Sequence, residues 1–361
     1  TAGLPPRKIK TDGIVWTSTN EFLAKCPAQV IGVTGTKGKG TTSSLIVAML
    51  KEAGFTVHLL GNIGVSPLTA LPTIQPDDVV VFEMSSFQLW DADKSPHIAV
   101  ITPIEVDHLD VHDNYEDYVA AKANITRFQT IEDVVIANAD SVTAQSIALT
   151  SFARQLSYPS SDAGHVANGK FFVGETEICS ISELKLPGKH NVENTCAALT
   201  AAWLLTHDVD ALALGIAIFT GLDHRLKFAG ETNSVRYYDD SIATTPGSAI
   251  AAVRAFGEPK VLILGGKDKG GEYEELMKLC QSTNTHIVTM GENGQKLSTL
   301  ASQYGVAAKY TEGAMNEAVE AASRTALPGG VVLLSPAASS FDQYTSYAAR
   351  GDAFIAAVAN L

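Results

Sequence analysis

The chain has 361 residues, a formal net charge of −13 at pH 7, and 45% hydrophobic against 18% charged residues. This composition is typical of a folded globular protein with room for two or three domains, and it excludes a largely disordered chain. The acidic balance argues against a general binder of nucleic acid or of anionic membranes. A local basic site for phosphates is still compatible with it.

The four cysteines match neither a zinc-binding spacing nor a dense disulfide framework, so we expect reduced, mostly buried thiols. The sequence shows no signal peptide and no uninterrupted apolar run long enough to span a bilayer. A cytoplasmic location is therefore the expectation. The cysteines are Cys26, Cys179, Cys196 and Cys280.

Residues 1–6 are small and proline-containing and are interpreted as the end of a preceding segment or as a linker. After them, apolar runs alternate with helical patterns, which is typical of a parallel α/β sheet. Between about residues 151 and 186 the pattern changes to short strand-like pieces separated by glycines. The predicted elements of this first region are the strands Val30–Val33, Val57–Leu60, Val79–Phe82, Ile98–Ile101 and Val134–Ala137 and the helices Thr42–Ala53 and Tyr115–Phe128.

Two helical stretches, His190–Leu205 and Val209–Phe219, lead to a domain boundary that we expect near Gly221–His224. A second alternation of strands and helices follows, which predicts a second α/β domain. Its predicted elements are the strands Val235–Tyr238, Val261–Leu264, Ile287–Met290 and Val331–Leu334 and the helices Ala249–Phe256 and Glu317–Arg324.

The first predicted strand ends at a glycine-rich turn that runs directly into a helix. In such a turn, backbone N–H groups and the helix N-terminus can hold phosphate oxygens. Lys39 is placed to reach the outer phosphates and a threonine hydroxyl to bind Mg²⁺, although Gly40 stands where a strict P-loop has Ser or Thr. A dinucleotide-binding turn and a plain tight turn are the alternatives, and the lack of a G-x-G-x-x-G motif with a ribose-binding acid weakens the first. The candidate phosphate-binding residues are Gly35, Thr36, Lys37, Gly38, Lys39, Gly40, Thr41 and Thr42.

Further polar residues of the first region could join a phosphate site. Glu83 ends a predicted strand, where a carboxylate could hold Mg²⁺ or simply be solvated. His108, in the segment Asp107 to Asp110, could bind a metal or orient a substrate, although a lone histidine is more often structural. His112 is expected at the surface. Lys122 is by default a solvated helix lysine, and a buried, reactive lysine is the alternative.

Other polar residues suit contacts to a nucleotide or to a small acidic substrate. Asn191 and Asn194 share a helix face and could bind an adenine edge, although Asn191 could equally cap the helix. Arg225 and Asp240, near the domain boundary, suit phosphate and ribose contacts. Two strand ends of the second region could bind a small acid, although each could also be an ordinary loop. Those strand ends carry Lys267, Lys269 and the segment Ser335 to Ser340.

Taken in order, these segments resemble the Mur ligase family over nearly the whole chain, from about Gln29 to its end. The glycine-rich turn has the T-G-T-x-G-K pattern of the family, and the members that add D-glutamate are the most similar. The segments that carry the resemblance are Thr34–Lys39, Gly61–Gly64, Glu83–Leu89, Asp107–Asp110, Gly188–Asn191, Phe219–Arg225, Leu334–Ala337, Ser339–Gln343 and Arg350-Gly351.

The resemblance implies an α/β protein with a central P-loop ATPase-type parallel-sheet domain over residues 26–221. It implies a C-terminal, Rossmann-like α/β domain for the amino acid over residues 222–361. Residues 1–25 would be a linker that follows a missing N-terminal, UDP-binding domain.

The resemblance also implies ATP and two Mg²⁺ ions at the glycine-rich turn. Thr41, Glu83 and His108 would serve the metal ions, and Lys122 would be carbamylated to support the second of them. Lys39, His108 and Lys122 would be the catalytic residues.

The substrates implied by the resemblance are UDP-N-acetylmuramoyl-L-alanine and D-glutamate, joined through an acyl phosphate during peptidoglycan synthesis. A monomer is expected, without nucleic acid or a membrane as partner. The implied nucleotide contacts are Asn194, Arg225 and Asp240, the muramoyl-peptide contacts are Asn62 and Ser85, and the D-glutamate contacts are Thr244, Lys269, Ser340 and Tyr347.

The sequence departs from the family pattern at two residues and in its extent. Gly40 gives a G-K-G-T turn that resembles folylpolyglutamate synthetases, and Ile242 stands where many D-glutamate-adding members have lysine. The missing N-terminal domain would normally hold the UDP group. A folylpolyglutamate-synthetase-like ligase and an inactive ATP-binding core are therefore the alternative functions.

Overall fold

The computed structural model describes residues 16–61, 65–109, 111–186, 188–268 and 270–361. The chain divides into two compact units, Thr1–Thr220 and Gly221–Leu361. Each unit has its own six-stranded sheet with hydrophobic clusters on both faces. The predicted α/β class is therefore confirmed.

The first unit begins with α1 (Ser18–Lys25), β1 (Gln29–Thr34), α2 (Lys39–Glu52), β2 (Val57–Gly61), α3 (Pro67–Ala70), β3 (Val79–Glu83), α4 (Ser86–Leu89) and β4 (Ile98–Ile101). It continues with α5 (Tyr115–Arg127), β5 (Val134–Asn138), α6 (Val142–Ala148) and β6 (Arg154–Tyr158). A three-stranded antiparallel sheet of β7 (Gly164–Ala167), β8 (Lys170–Val173) and β9 (Thr176–Ser180) precedes α7 (Lys189–Trp203) and α8 (Val209–Ile218).

The main sheet of this unit has the strand order β2-β3-β1-β4-β5-β6, and its neighbouring strands are parallel. β1, β3 and β4 are apolar because helices cover both of their faces. Leu45 of α2 and Leu199 of α7 pack on one face, and Phe22 of α1 and Ile125 of α5 pack on the other. The carboxyl ends of these strands meet at one edge, which is where ligands bind in open α/β sheets.

The second unit contains β10 (Lys227–Thr232), β11 (Val235–Asp239), α9 (Pro246–Arg254), β12 (Lys260–Leu264), α10 (Glu274–Ser282) and β13 (His286–Thr289). It ends with α11 (Gly294–Gln303), β14 (Ala308–Tyr310), α12 (Met315–Thr325), β15 (Val331–Leu334) and α13 (Tyr347–Ala359). The strand order is β10-β11-β15-β12-β13-β14. β10 is antiparallel to β11 and the other neighbours are parallel, so the sheet is mixed.

The sequence patterns missed β6, β10 and β14, which lie at sheet edges. Edge strands are short and partly polar, so they lack the continuous apolar run of the central strands. Helix α2 begins at Lys39, three residues before the predicted start, and so includes part of the glycine-rich turn.

The cysteines are free thiols as predicted, two of them buried and two half-buried. Within the described ranges, every helix is too short or too polar to cross a membrane.

Candidate active site

The glycine-rich turn lies between the buried end of β1 and the first turn of α2. Gly35 (φ +145°) and Gly38 (φ +85°) adopt backbone conformations that favour glycine. A Cβ atom on Gly35 would lie 1.9 Å from Thr102 Oγ1, and one on Gly38 would lie 2.3 Å from Asn194 Oδ1. Both glycines are therefore required by close packing, and the second contact brings Asn194 of α7 to the turn.

The turn is built to receive an anion. No described side chain caps α2, and its N-terminus carries the positive end of the helix dipole. Lys39 Nζ donates to the carbonyl oxygens of Gly35 and Thr36, at 3.0 Å in each case. A cationic lysine and the N-terminus of a helix at one place are the features that bind phosphate.

Lys122 extends from α5 to the same turn and is buried. Its Nζ donates to the Gly35 carbonyl at 2.8 Å and lies 4.7 Å from the centre of the Tyr118 ring. Burial, with a smaller effect from Lys39, lowers the pKa of Lys122 to about 6. The interpretation of Lys122 as a solvated helix lysine is therefore wrong, and at neutral pH its amine is largely uncharged and nucleophilic.

A hydroxyl network beside Lys122 fixes the turn. Tyr118 OH lies 2.9 Å from Thr36 Oγ1, which also donates to the carbonyl of Glu105 and accepts from its N–H. Burial raises the pKa of Tyr118 to about 12, so its hydroxyl stays protonated. The sequence did not predict this network, because nothing in the local pattern distinguishes Tyr118 from the other aromatic residue of its helix.

Glu83 is the last residue of β3 and is 3% exposed, so a solvated strand-end carboxylate is excluded. Its negative charge acts on the Lys122 amine and partly offsets the fall in the pKa of that lysine. Thr41, in the first turn of α2, is half-buried. Glu83 and Lys122 therefore face each other closely enough to interact electrostatically.

His108 lies on the loop that follows β4, and its side chain is 46% exposed. Its backbone is left-handed (φ +52°), which is uncommon for a residue with a side chain. The imidazole lies 3.6 Å from Asp107 Oδ2 and its ring centre is 5.1 Å from that of Phe87. An exposed imidazole beside a carboxylate is available to a ligand.

His112 is buried, so its predicted surface position is wrong. A histidine among aspartates is typical of a polar loop, and this pattern led to the wrong prediction. In the structure the His112 ring packs on Trp90 and Phe87.

Ser85 caps α4. Its Oγ accepts from the Gln88 N–H, and Gln88 Oε1 accepts from the Ser85 N–H at 2.9 Å. This reciprocal arrangement fixes the start of α4 at the carboxyl end of β3. Asn62, the other residue expected at the muramoyl-peptide site, lies outside the described residues.

The described part of the chain holds no cluster of three His, Cys, Asp or Glu side chains suited to a metal ion. Mg²⁺ commonly needs only one or two carboxylates and completes its shell with phosphate oxygens and water. The glycine turn, the first turn of α2 and the buried Glu83 therefore fit ATP with Mg²⁺ without a preformed protein cage.

In the second unit, Asp240 follows β11 and is buried. Its Oδ2 accepts from Ser335 Oγ at 2.7 Å, and its Oδ1 accepts from the Leu226 N–H at 3.3 Å. Burial raises the pKa of Asp240 to about 7, opposed by Ser335 and by the charge of Arg225. The structure thus brings the predicted pair Arg225 and Asp240 into electrostatic contact.

The residues expected around D-glutamate differ in exposure. Ser340 is buried, Tyr347 is half-buried and Thr244 is exposed. The Tyr347 carbonyl accepts from Ser241 Oγ at 2.8 Å. Lys269 lies outside the described residues.

Arg350 is a buried cation in this unit to which sequence analysis gave no role. It donates to Ser241 Oγ, to the Ser241 carbonyl and to the Ala338 carbonyl, at 2.8–2.9 Å. Burial lowers the pKa of Arg350 to about 10, which leaves it charged at neutral pH. Arg350 therefore ties the loop after β11 to the loop after β15. The motif Arg350-Gly351, which forms part of the family resemblance, was the feature of the sequence that could have pointed to this residue.

Two family models match the chain. Residues 33–202 match the Mur ligase middle domain, and residues 224–338 match the Mur ligase, glutamate ligase domain. A UDP-N-acetylmuramoylalanine–D-glutamate ligase of Clostridium kluyveri is 36% identical over 360 residues, covering 96% of this chain and 78% of that protein. The enzyme of the same name from Acetivibrio thermocellus is 37% identical over 364 residues, covering 96% and 77%.

Solved structures share the fold at lower identity. A bifunctional folylpolyglutamate synthase/dihydrofolate synthase of Yersinia pestis, complexed with AMPPNP and a manganese ion, has a TM-score of 0.68 and 18% identity. That match covers 98% of this chain and 96% of the other. A MurF ligase of Thermotoga maritima, in complex with ADP, has a TM-score of 0.61 and 17% identity, covering 94% and 81%.

Proposed function

This chain belongs to the Mur ligase family, and we propose that it joins D-glutamate to UDP-N-acetylmuramoyl-L-alanine at the expense of ATP. Relatives of that name are similar over nearly the whole chain. The observation that carries the proposal is the position of Lys122 and Lys39, which both donate to the carbonyl oxygen of Gly35. The Lys39 amine is suited to binding phosphate. The Lys122 amine, which is largely uncharged at neutral pH, is suited to carbamate formation.

The proposed reaction has two steps. The terminal carboxylate of the muramoyl peptide attacks the γ-phosphorus of ATP, so that ADP leaves and an acyl phosphate forms. The amine of D-glutamate then attacks the acyl carbon, loses a proton and expels phosphate, which leaves an amide. Phosphoryl transfer of this kind depends mainly on positioning and on neutralising charge.

Lys39 would hold the outer phosphates, because its ammonium is already fixed within the turn by two carbonyl oxygens. Backbone N–H groups at the start of α2 would bind further phosphate oxygens, helped by the positive end of the helix dipole. Asn194, whose side chain lies where a Cβ atom on Gly38 would point, would place its amide beside the bound nucleotide. Arg225 and Asp240 would contact the phosphate and the ribose.

Mg²⁺, when bound, would neutralise charge on the carboxylate and phosphoryl oxygens. Thr41, Glu83, His108 and the carbamylated Lys122 are the residues proposed to hold the two ions. Lys122 suits this role because an uncharged amine can attack CO₂, lose a proton and become a carbamate. The negative carbamate would then replace a neutral group beside Glu83.

Ser85 and Asn62 would contact the muramoyl peptide, and Thr244, Lys269, Ser340 and Tyr347 would surround D-glutamate. In this role the chain would serve peptidoglycan synthesis, and through it cell shape and division. We further propose that it works as a monomer in the cytoplasm, without nucleic acid or a membrane as partner.

The test is phosphate release by this chain with ATP, Mg²⁺, UDP-N-acetylmuramoyl-L-alanine and D-glutamate, each left out in turn. We expect release to require all four and the product to be the amide, identified by its mass. A Lys39→Met variant is the control for release by a contaminating ATPase. Release that ignores D-glutamate but responds to a folate acceptor with L-glutamate would contradict the proposal.

A further inference from the structure

The imidazole of His112 is a buried, hydrogen-bonded group that the proposed reaction does not use. Its side chain is fully enclosed. It lies between the loop that carries His108 and the helix that carries Lys122. A polar ring in such a position needs partners for both nitrogens, so its contacts define what it does.

The two ring nitrogens join two different elements. Nδ1 lies 3.1 Å from Asp117 Oδ2 on α5, and Nε2 lies 3.0 Å from Ser86 Oγ at the start of α4. A carboxylate oxygen accepts, so Nδ1 donates to Asp117, and Nε2 pairs with the Ser86 hydroxyl. The ring is therefore a bridge between the segment after β3 and helix α5.

Aromatic side chains fix the plane of this ring. It stacks on Trp90 at 4.1 Å between ring centres, with Phe87 at 5.6 Å and almost parallel. The edge of Tyr118 completes the enclosure at 5.3 Å. An arrangement of Ser, His and Asp resembles that of a hydrolase, but Ser86 is only 1% exposed, so it cannot act as a nucleophile on a substrate.

The backbone of His112 holds the loop of His108. The N–H groups of Val111 and His112 both donate to the His108 carbonyl, at 3.1 and 2.9 Å. These bonds close the turn in which His108 keeps its left-handed backbone. The His108 side chain itself is exposed, so its position depends on how firmly the turn is anchored.

We infer that His112 is a positioning residue, which fixes the His108 loop against the Ser85-Ser86 segment. The inference rests on the proposed function, since both segments are proposed there to contact Mg²⁺ or the muramoyl peptide. His112 does not touch the reacting atoms. Its effect is to keep the imidazole of His108 and the start of α4 at a fixed separation.

The test compares His112→Gln with the unmodified chain. The glutamine amide can still reach Ser86 but cannot bridge to Asp117, and it does not fill the aromatic enclosure. We expect the KM for UDP-N-acetylmuramoyl-L-alanine to rise about 10-fold, as when a residue supporting a metal ligand is lost. The KM for D-glutamate should stay unchanged, because its proposed contacts lie in the second unit.

Hydrogen exchange gives a readout that needs no activity. In His112→Gln the amides of Val111 and of residue 112, which donate to the His108 carbonyl, should exchange faster, while those of the α2 helix keep their rate. His58→Gln is the matched control, because His58 also pairs with an aspartate (Asp78, 2.8 Å) in the same unit and has no proposed role. It should alter neither the KM nor the exchange of this loop.

Ser86→Ala keeps the imidazole of His112 and removes only its hydroxyl partner. This variant therefore tests the positioning role of His112 if His112→Gln does not fold. A smaller change in the same direction is expected. Unchanged KM and exchange in the variants, or an equal rise in the KM of both substrates, would overturn the inference. If the unmodified chain ligates nothing, the proposed function fails, and the exchange data still decide the role of His112.

Discussion

The two units bury ionisable groups of opposite charge at equivalent places, beyond the carboxyl ends of parallel strands. In the first unit burial lowers the pKa of Lys122 to about 6, and in the second it raises the pKa of Asp240 to about 7. One physical cause, the loss of water around a charge, thus lowers the pKa of a base in one unit and raises the pKa of an acid in the other. Near neutral pH both groups lie close to their titration points.

The difference has consequences for stability. Between pH 6 and 10.5 the unfolded chain holds the Lys122 proton more tightly than the folded chain, so stability of the first unit rises with pH. Between pH 3.8 and 7 the folded chain holds the Asp240 proton more tightly, so stability of the second unit falls with pH. The units should therefore respond to pH in opposite directions.

The largest effect is expected when Lys122 is replaced by methionine. The apolar side chain fits the buried position, but no carbamate can form on it, so ligation should fall about 100- to 1,000-fold, as when one essential electrostatic group is lost. The measurement is phosphate release with both substrates. The rise in first-unit stability above pH 6 should disappear as well, followed through Trp16, Trp90 and Trp203, which all belong to that unit.

Two controls accompany this variant. Lys51→Met changes an exposed lysine of α2 and should keep normal activity. Removal of bicarbonate and CO₂ should slow the unmodified chain and leave the residual rate of Lys122→Met unaltered. Full activity of Lys122→Met would contradict a catalytic role of the buried amine, which would then be only structural.

The next largest effect concerns Asp240→Asn in the second unit. The amide oxygen can still accept from Ser335, and the cost of ionising a buried carboxyl is removed. We expect a gain of roughly 4 kcal/mol in the free energy of unfolding at pH 8, which nearly vanishes by about pH 4. Urea unfolding followed by circular dichroism, with tryptophan fluorescence to separate the first unit, provides the measurement.

Asp223→Asn is the matched control for this prediction, because its side chain is 74% exposed. It should leave the pH dependence of the second unit as it is. A pH-independent gain in Asp240→Asn would mean that Asp240 is ionised in the folded chain throughout this range. The ligase activity of the variant should fall, since Asp240 is proposed to contact the nucleotide.

A smaller effect is expected in the turn itself. Gly38→Ala combines a left-handed backbone with a Cβ atom 2.3 Å from Asn194 Oδ1, so the turn and Asn194 must move apart. ATP affinity, measured by calorimetry, should fall about 10-fold, which corresponds to about 1.4 kcal/mol.

Gly54→Ala has nearly the same φ (+86°) with open space around the new Cβ, and so measures the backbone cost alone. It should destabilise the unit by about 1 kcal/mol without changing ATP affinity. Equal ATP affinities of the two variants would contradict the contact between Gly38 and Asn194 as a feature of the binding site.

The turn and Lys39 could be predicted from the sequence because a strand, a glycine-rich turn and a helix are contiguous. The burial of Lys122 could not, because its helix carries small, apolar and polar residues on several sides. The side of the helix that faces the glycine-rich turn is set by a contact between Lys122 and Gly35, which are 87 positions apart in the sequence. For Lys122 the resemblance to a family, and not the local pattern, supplied the interpretation.

The burial of His112 and Arg350 could not be predicted from the local sequence either. Both are polar residues in segments that look solvated, and both are buried by long-range partners. Local patterns cannot reveal such partners, because they come from other strand ends. The edge strands β6 and β10 escaped prediction for a different reason, since they lack a continuous apolar run.

The smallest effect separates two adjacent hydroxyls of α2. Thr42 is buried, and its Oγ1 has no hydrogen-bond partner among the described residues, whereas Thr41 is half-buried and is proposed to serve Mg²⁺. Thr42→Val removes an unsatisfied buried hydroxyl at nearly constant shape, so we expect a gain of up to about 1 kcal/mol in stability. The Mg²⁺ concentration for half-maximal activity should not change, whereas Thr41→Val should raise it about 10-fold. If Thr42→Val raised the Mg²⁺ requirement as much as Thr41→Val, the metal-binding hydroxyl would be that of Thr42, and Gly40 would shift the motif by two positions and not by one.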